Sequence, residues 1–572
     1  MIKAAMLSAY LQKQLTSRSH TIFWFSLSLT FAVIYAVMGL QQAFGSEYVV
    51  QDDARQHVFW MRRFLNPEIF PGDLIADYFQ SVAPWGYTWF YRSLVSLGIE
   101  PIFLSKILPL ILGIITTGYL FGICLEILPV PATAWIASVL FNQTLWCGDD
   151  LSSGTPRSFV YLLLLGFIYY LLRRSLLPCL AAIALQALFY PQCVFLSAGL
   201  LLLRLWCWEG GKIGLSKNRS DYLFCSVGLI VAFVVMLPYA LKSSEFTPLV
   251  SVDVAKTMPE FLPGGRSEFF DDTAWEYWLG GRSGMIPKAL ITPVTLTLGF
   301  LLPILLCLPQ KLPLVKQLTK ESKLLGQLIL TSLALFLAAH ALLFRLHLPS
   351  RYTQYSLRIV LVIAAALVLT IILDKLLTWA SQSRKLPLQI LTLSIATTLA
   401  IVLVMYPSFL KKFPKARYVK GKEPQIYQFF AQTPTETLIA STSKIADNIP
   451  TFSQRSVLVS KQYAIPYHLG YYNQFRQRAM DLVEAQYSTK LEKVTAFIQK
   501  YSIDYWLLDT SAFSDDYLRK NWVRQYPKVV ETAQANLESD AEPVVEKLQE
   551  ICTVLRTERG LILDAKCILN QP

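Results

Sequence analysis

Apolar stretches long enough to cross a bilayer recur between Thr21 and Tyr406, and no other feature constrains this chain so strongly. A helical span needs about 20 apolar residues, and in lipid the backbone must satisfy its own hydrogen bonds. The first run, Thr21–Phe44, has 24 residues and follows Lys3, Lys13 and Arg18. Ala43-Phe44-Gly45 resembles a cleavage site, but the run exceeds a signal-peptide core of roughly 7–15 residues. A retained helix with its N-terminus inside is expected. Further runs are Ile102–Leu128, Thr133–Cys147, Phe159–Leu172, Tyr222–Leu241, Lys288–Leu308, Leu324–Phe344, Ile359–Trp379 and Leu388–Tyr406. Composition agrees: of 572 residues 54% are hydrophobic and 16% charged, with mean hydropathy +0.42. Soluble proteins are about 25% charged. A soluble enzyme, a disordered chain and a disulfide scaffold are thereby excluded.

Leu176–Trp206 is 31 residues long and broken by Tyr190-Pro191-Gln192. Loop charge chooses between one crossing and two short helices that enter and leave on one side. With a hairpin, Arg173-Arg174, Lys212/Lys217/Arg219, Lys311/Lys316/Lys320/Lys323 and Arg384/Lys385 all fall inside, as the positive-inside tendency requires. The expectation is a multi-pass α-helical membrane protein of about 11 membrane segments, including this short re-entrant-like hairpin, with an extracytoplasmic C-terminus. One feature opposes it: Lys411, Lys412, Lys415, Arg417, Lys420 and Lys422 follow the last run without an intervening acid. The net charge of +13 otherwise sits in short loops, and no basic face with interleaved aromatics points to nucleic acid.

Residues 1–406 then form a membrane domain with two long external loops, 45–100 and 243–286. Within the first, Ala54–Phe64 and Trp85–Leu97 are amphipathic and expected at the membrane surface. Residues 407–572 read as a small extracytoplasmic α/β domain with a largely parallel sheet. Thr437–Ser441, Ser456–Ser460 and Asp504–Asp509 are its strands, alternating with helices Phe475–Gln486 and Thr489–Lys500. Near the end, Ile551–Arg556 and Leu561–Ile568 flank a predicted Arg559-Gly560 turn, which would set Cys552 opposite Cys567 within disulfide reach. Cys124, Cys147, Cys179, Cys193, Cys207, Cys225 and Cys307 lie in or beside apolar runs as small hydrophobes. No Cys/His metal spacing occurs.

The candidate chemistry begins at Gln51-Asp52-Asp53-Ala54-Arg55-Gln56-His57. Mutual repulsion of adjacent carboxylates raises the pKa of one, which suits a general base or a divalent-cation site, Mg or Mn, with Asp52 and His57 as ligands. The plainer reading is a polar loop with a helix cap at Asp52 or Asp53. Asp149 and Asp150, ahead of Pro156-Arg157, form a second pair on the same expected side; capping accounts for one of them. The loop 243–286 carries Asp271, Asp272, Trp275 and Trp278, aromatic and acidic groups that suit a sugar acceptor or a membrane interface. Arg351 and Arg358 stand at the outer end of a run, where guanidinium can grip a lipid phosphate or contact bulk lipid.

With these motifs in hand, the chain resembles the GT-C superfamily of integral membrane glycosyltransferases, which includes protein O-mannosyltransferases, aminoarabinose transferases and oligosaccharyltransferase catalytic subunits. The likeness rests on Asp52-Asp53-Ala54 in the first loop, on Tyr78-Phe79 before Pro84-Trp85-Gly86-Tyr87, on Asp149-Asp150 and on Arg351. The second acid is Asp53 where the family also uses Glu. The resemblance implies an inverting transfer of sugar from a polyprenyl phosphate or diphosphate donor to a glycan, lipid or protein acceptor at the outer face of the plasma (inner) membrane. It implies Asp52 as general base, Asp53 as its orienting residue or metal holder, Asp149 or Asp150 as helper, and Arg351, Arg358 and Arg157 at the donor phosphate. A secondary transporter or flippase would want ionisable groups and broken helices at mid-membrane. A non-catalytic scaffold for envelope polysaccharide assembly is the other alternative.

Overall fold

The computed structural model describes residues 18–209, 212–241, 244–286, 291–383, 385–539 and 541–571. Lys3, Lys13, Arg384 and the start of the Lys288–Leu308 run lie outside them. The membrane part consists of α1 (Arg18–Ala43), α2 (Pro101–Ile127), α3 (Pro131–Trp146), α4 (Val160–Leu172), α5 (Leu176–Phe189), α6 (Gln192–Arg204), α7 (Arg219–Leu241), α8 (Lys323–Ala341), α9 (Ser350–Gln382) and α10 (Leu386–Met405). Among the described residues six helical segments are long and apolar enough to cross a membrane: α1, α2, α7, α9, and the segments containing α8 and α10. The start of α2 shows why the helices begin where they do. Pro101 occupies its first turn and the Glu100 carboxylate accepts from the Phe103 N–H at 2.6 Å, satisfying a donor the helix cannot.

Helices α5 and α6 are two elements. Ser197 donates to Gln186 Oε1 at 2.7 Å, a contact that an unbroken helix would hold about 16 Å apart, so the chain folds back at Tyr190-Pro191. Each has 13–14 residues, about 20 Å of helix, short of a 30 Å hydrocarbon core.

Helix α9 is the axis of the bundle. It packs against α3, α8, α10 and the segment Val294–Leu301, and its apolar window is 83% buried against 17% for α7 and α10. Its first turns are largely inside protein as well: Ser350, Tyr352, Thr353, Tyr355, Ser356 and Arg358 are buried, and Arg351 is half-buried.

The segment 45–100 departs from its expected surface position. Ala54, Val58, Phe59, Trp60 and Met61 are fully buried, and the Phe59 ring meets Tyr463 at 5.4 Å between centroids. Arg55, Gln56 and Arg62 find partners in the C-terminal part, at Asn448, Gln462 and Thr451, so this stretch becomes core. Trp85–Val95 does show one exposed apolar face, through Trp85 and Trp89.

Strand β1 (Val49–Gln51) runs antiparallel to β2 (Tyr418–Lys420), pairing Gln51 with Tyr418. This ladder lays the basic segment after α10 beside Asp52. Beyond it come β3 (Leu438–Ala440), β4 (Ser456–Val457), α11 (Leu469–Gln486), α12 (Leu491–Tyr501), β5 (Tyr505–Asp509), β6 (Thr553–Arg556) and β7 (Gly560–Asp564). The sheet order is β4-β3-β5-β7-β6. It is mixed: β3 pairs parallel with β4 and β5, whereas β7 pairs antiparallel with β5 and β6. The terminal hairpin cannot pair parallel, because its turn is too short for a crossover.

Cys552 and Cys567 are bonded, with Cα atoms 5.5 Å apart. Neither lies on the hairpin. They sit on the short helices Gln549–Cys552 and Ala565–Leu569 that flank it, and the turn is closed by Thr557 and Gly560 around Glu558-Arg559.

Candidate active site

Four segments distant in sequence meet where the membrane helices join the C-terminal part: the turn after β1, the loop between α3 and α4, the start of α9, and the basic segment before β2. Asp149 and Asp150 are presented by a tight loop. Gly154 in that loop has φ +62°, and a Cβ there would come within 2.6 Å of the Ser105 carbonyl oxygen, so only glycine fits. Tyr91 and Tyr87 donate to the Gly154 carbonyl at 2.7 and 3.3 Å, and Ser152 donates to the Ala416 carbonyl at 2.9 Å. The loop is thereby fastened to both neighbouring segments.

Arg157 is the hub of the acidic residues. Its guanidinium lies 2.5 Å from Asp53 Oδ2, 3.3 Å from Asp149 Oδ2 and 3.7 Å from Asp150 Oδ1. Asp150 also receives Arg358 at 2.6 Å and Gln354 at 2.8 Å. Arg358 donates in addition to the Tyr161 hydroxyl at 2.6 Å. Burial raises the Asp150 carboxyl, but Arg358, Arg157 and Arg351 outweigh it and hold the group at about 2. Burial likewise raises Asp53, and Arg157, His57, Arg351 and Arg417 together leave it below its ordinary value. His57 is lowered by burial and by Arg157, against the pull of Asp53.

Next to these acids is a cationic cavity of about 500 Å³, whose basic lining comprises Arg157, Arg351, Arg358, Lys412, Lys415 and Arg417. Arg358 gives one guanidinium nitrogen, Nη1, to both Asp150 and Tyr161. Arg351 has a single hydrogen-bonding partner among the described residues, Gln354 Oε1 at 3.0 Å, which leaves donors for a ligand. Arg417 adopts φ +51°, uncommon for a residue with a side chain. Its carbonyl accepts from the Asp52 N–H at 3.2 Å while its guanidinium reaches Asp149 at 3.2 Å. The six-base run that opposed the expected orientation thus meets the acidic loop, and that anomaly was the signal for Lys412, Lys415 and Arg417. Gln354 and Gln462 carried none.

A second, mostly apolar groove of about 680 Å³ runs from His57 and Tyr78 past Tyr190 and Phe195 to Phe233 and Leu237 on α7. Arg351 acts electrostatically on both Asp53 and Tyr190, so it stands between groove and acids.

Adjacent Asp52 and Asp53 diverge. Asp52 is paired with Arg55 and accepts from Gln462 Nε2 at 3.3 Å, facing a cleft beneath the C-terminal part, whereas His57 lines the apolar groove. The expected Asp52–His57 metal pair is therefore not formed. Asp53, Asp149 and Asp150 already share the Arg157 guanidinium, and among the described residues no three His, Cys, Asp or Glu side chains converge to hold a metal ion. The loop residues Asp271, Asp272, Trp275 and Trp278 stay away from the acids. Asp271 accepts from the Thr273 N–H at 2.9 Å, Asp272 and Trp275 are exposed, and Trp278 packs on His340 at 4.8 Å. The same loop instead sends inward Arg266, whose Nε donates to the Lys461 carbonyl at 3.1 Å, and Arg282, which donates to the Tyr467 hydroxyl at 3.0 Å.

No protein-family model matches the chain, and no curated relative matches it by sequence. Its fold is similar to the apo crystal structure of the Archaeoglobus fulgidus oligosaccharyltransferase, at 12% identity and TM-score 0.54, over 89% of this chain and 72% of that one. It is equally similar to AglB from the same organism in complex with an inhibitory peptide and a dolichol-phosphate, at 12% identity and TM-score 0.53, over 92% and 72%. A weaker likeness, TM-score 0.42 at 12% identity over 97% and 100%, is to ArnT from Cupriavidus metallidurans bound to undecaprenyl phosphate.

Proposed function

We propose that this chain, whose fold is similar to that of an archaeal oligosaccharyltransferase, is a GT-C membrane glycosyltransferase that transfers a sugar from a polyprenyl-phosphate donor to an acceptor hydroxyl at the extracytoplasmic membrane face. The observation that carries this reading is the join between the Asp52-Asp53 turn and the cationic cavity around Arg351. An anionic leaving group and a nucleophile that must lose a proton need those two kinds of charge side by side. The similar archaeal protein has been seen with a dolichol-phosphate, which supports a lipid phosphate as donor.

In this reading the polyprenyl tail lies in the apolar groove along α6 and α7, and its phosphate sits in the cationic cavity. Asp52, on the cleft side, accepts the acceptor proton as the oxygen attacks the anomeric carbon. The bond from that carbon to the phosphate oxygen breaks, and Arg351 with Lys412, Lys415 and Arg417 takes up the charge. Single displacement inverts the anomeric configuration. Arg157 holds Asp53, Asp149 and Asp150 in place, and Arg358 anchors Asp150 from α9. Residues 407–572 cap the site from outside, and about 11 segments cross or enter the membrane. The test is incubation of purified protein with a panel of polyprenyl-phosphate sugars. Transfer or donor hydrolysis that is lost in Asp52→Asn, with the fold intact, supports the enzyme. Unchanged cellular function in both Asp52→Asn and Asp53→Asn removes it.

A further inference from the structure

The cleft that Asp52 faces is not accounted for by donor binding. It has a volume of about 490 Å³, and its lining includes Arg266, Lys444, Lys461, Lys520 and Arg524 as well as Arg55. Arg55 is paired with Asp52, and Lys520 lies 2.6 Å from Asp516. Arg266, Lys444, Lys461 and Arg524 have no carboxylate within 4.0 Å among the described residues. The acids in the lining are Asp52 and Asp447, and Asp447 accepts from the Gln462 N–H at 2.9 Å.

These cations come from three separate stretches, 264–266, 444–462 and 520–525, so the cluster is made by folding and is not a local charge run. Its floor is rigid: Trp522 Nε1 and Asn521 Nδ2 donate to the Thr442 carbonyl at 3.0 and 3.1 Å. Arg266 is held by the Lys461 carbonyl. Burial, followed by the nearness of Lys444 and Arg266, pushes the Lys461 amine below its ordinary value against the opposing pull of Asp447. Six bases against two acids leave an excess of positive charge in a partly desolvated cleft, and a bound polyanion relieves the repulsion among them.

We propose that this cleft binds the acceptor, and that the acceptor is an anionic saccharide bearing carboxylate or phosphate groups that the cleft holds while a hydroxyl reaches Asp52. The inference rests on the glycosyl-transfer reading for its role, and on the cleft alone for its charge preference.

Full-length protein in detergent is titrated with fluorescent oligogalacturonate, a phosphorylated oligosaccharide of similar length, and neutral malto-oligosaccharide. At least one anionic probe is expected to bind about tenfold or more tighter than the neutral one, the difference shrinking as salt is raised. Which anionic probe binds better separates carboxylate from phosphate recognition. The triple variant Arg266→Gln/Lys461→Gln/Arg524→Gln is expected to lose at least about tenfold in that binding. Lys461→Arg/Arg524→Lys should retain it, and so should Lys490→Gln/Lys528→Gln/Lys547→Gln, which removes three exposed cations elsewhere. Equal binding of anionic and neutral probes, or equal losses in the two triple variants, overturns the proposal. Undecaprenyl phosphate binding is measured on the same samples. Its failure with anionic-saccharide binding intact removes the donor reading and leaves the cleft assignment standing.

Discussion

Arg358, two turns into α9, places its guanidinium 2.6 Å from Asp150 Oδ2, with side chains only 2% and 4% exposed. This pair ties the central helix of the bundle to the loop that presents the acidic residues. Taking both charges out of water is costly, and their attraction, with the added hydrogen bonds to Tyr161 and Gln354, offsets part of that cost. Leaving either charge alone is the damaging change. Asp150→Ala or Arg358→Leu is expected to destabilise the protein by roughly 3–5 kcal/mol, read as a lower Tm in detergent. An unchanged Tm contradicts the pairing.

The same carboxyl predicts acid sensitivity. Held at about 2 in the fold against an ordinary 3.8, Asp150 binds its proton more readily when unfolded. Its contribution is full above about pH 4 and disappears as pH falls toward 2. Thermal melts across that window should show a decline that Asp150→Asn flattens.

Arg351 has no carboxylate partner of the kind that Asp150 gives Arg358, and its one hydrogen bond among the described residues, to Gln354, leaves donors for a ligand. Arg351→Gln should weaken binding of undecaprenyl phosphate by about 10- to 100-fold, the worth of one charge-assisted hydrogen-bonding group, while Tm barely moves. Equal affinity in the variant would place the phosphate elsewhere.

Asp52→Asn should lower turnover by roughly 10²–10⁴-fold with donor affinity preserved, as loss of a general base does. Asp53→Asn should weaken donor binding as well, since Asp53 reaches the cavity through Arg157 at 2.5 Å. Single-turnover kinetics alongside donor titration separate the two. Identical effects from both substitutions remove the division of labour.

Orientation can be checked at Ser511, which is exposed. Ser511→Cys in a Cys307→Ser background, which removes the exposed free thiol among the described residues, should label from outside intact cells. Labelling only after permeabilisation reverses the sidedness and with it the extracytoplasmic site.

The disulfide closes a short loop, its cysteines 15 residues apart, a length associated with about 3 kcal/mol. Cys552→Ala/Cys567→Ala should lose stability of that order in thermal melts, with the membrane helices still formed by circular dichroism.

The sequence by itself determined what depends on local composition: the membrane helices, the Tyr190-Pro191 break, most strand positions and the acidic pairs. Each follows from runs of apolar residues, from the conformational limits of proline, or from alternation within a few residues. What only the tertiary structure decided is which charges meet. Arg157 stands among Asp53, Asp149 and Asp150, Arg358 crosses from α9 to Asp150, and the β1–β2 ladder carries Arg417 to Asp149. These partners lie 7 to 268 positions away from one another, and no pattern in the chain specifies such pairings. Divergence of Asp52 from Asp53 is equally invisible, because neighbours in sequence face different cavities once the turn after β1 is set. Long-range electrostatics is decided by packing, since a charge buried on folding must find its counter-ion wherever the bundle and the sheet bring one.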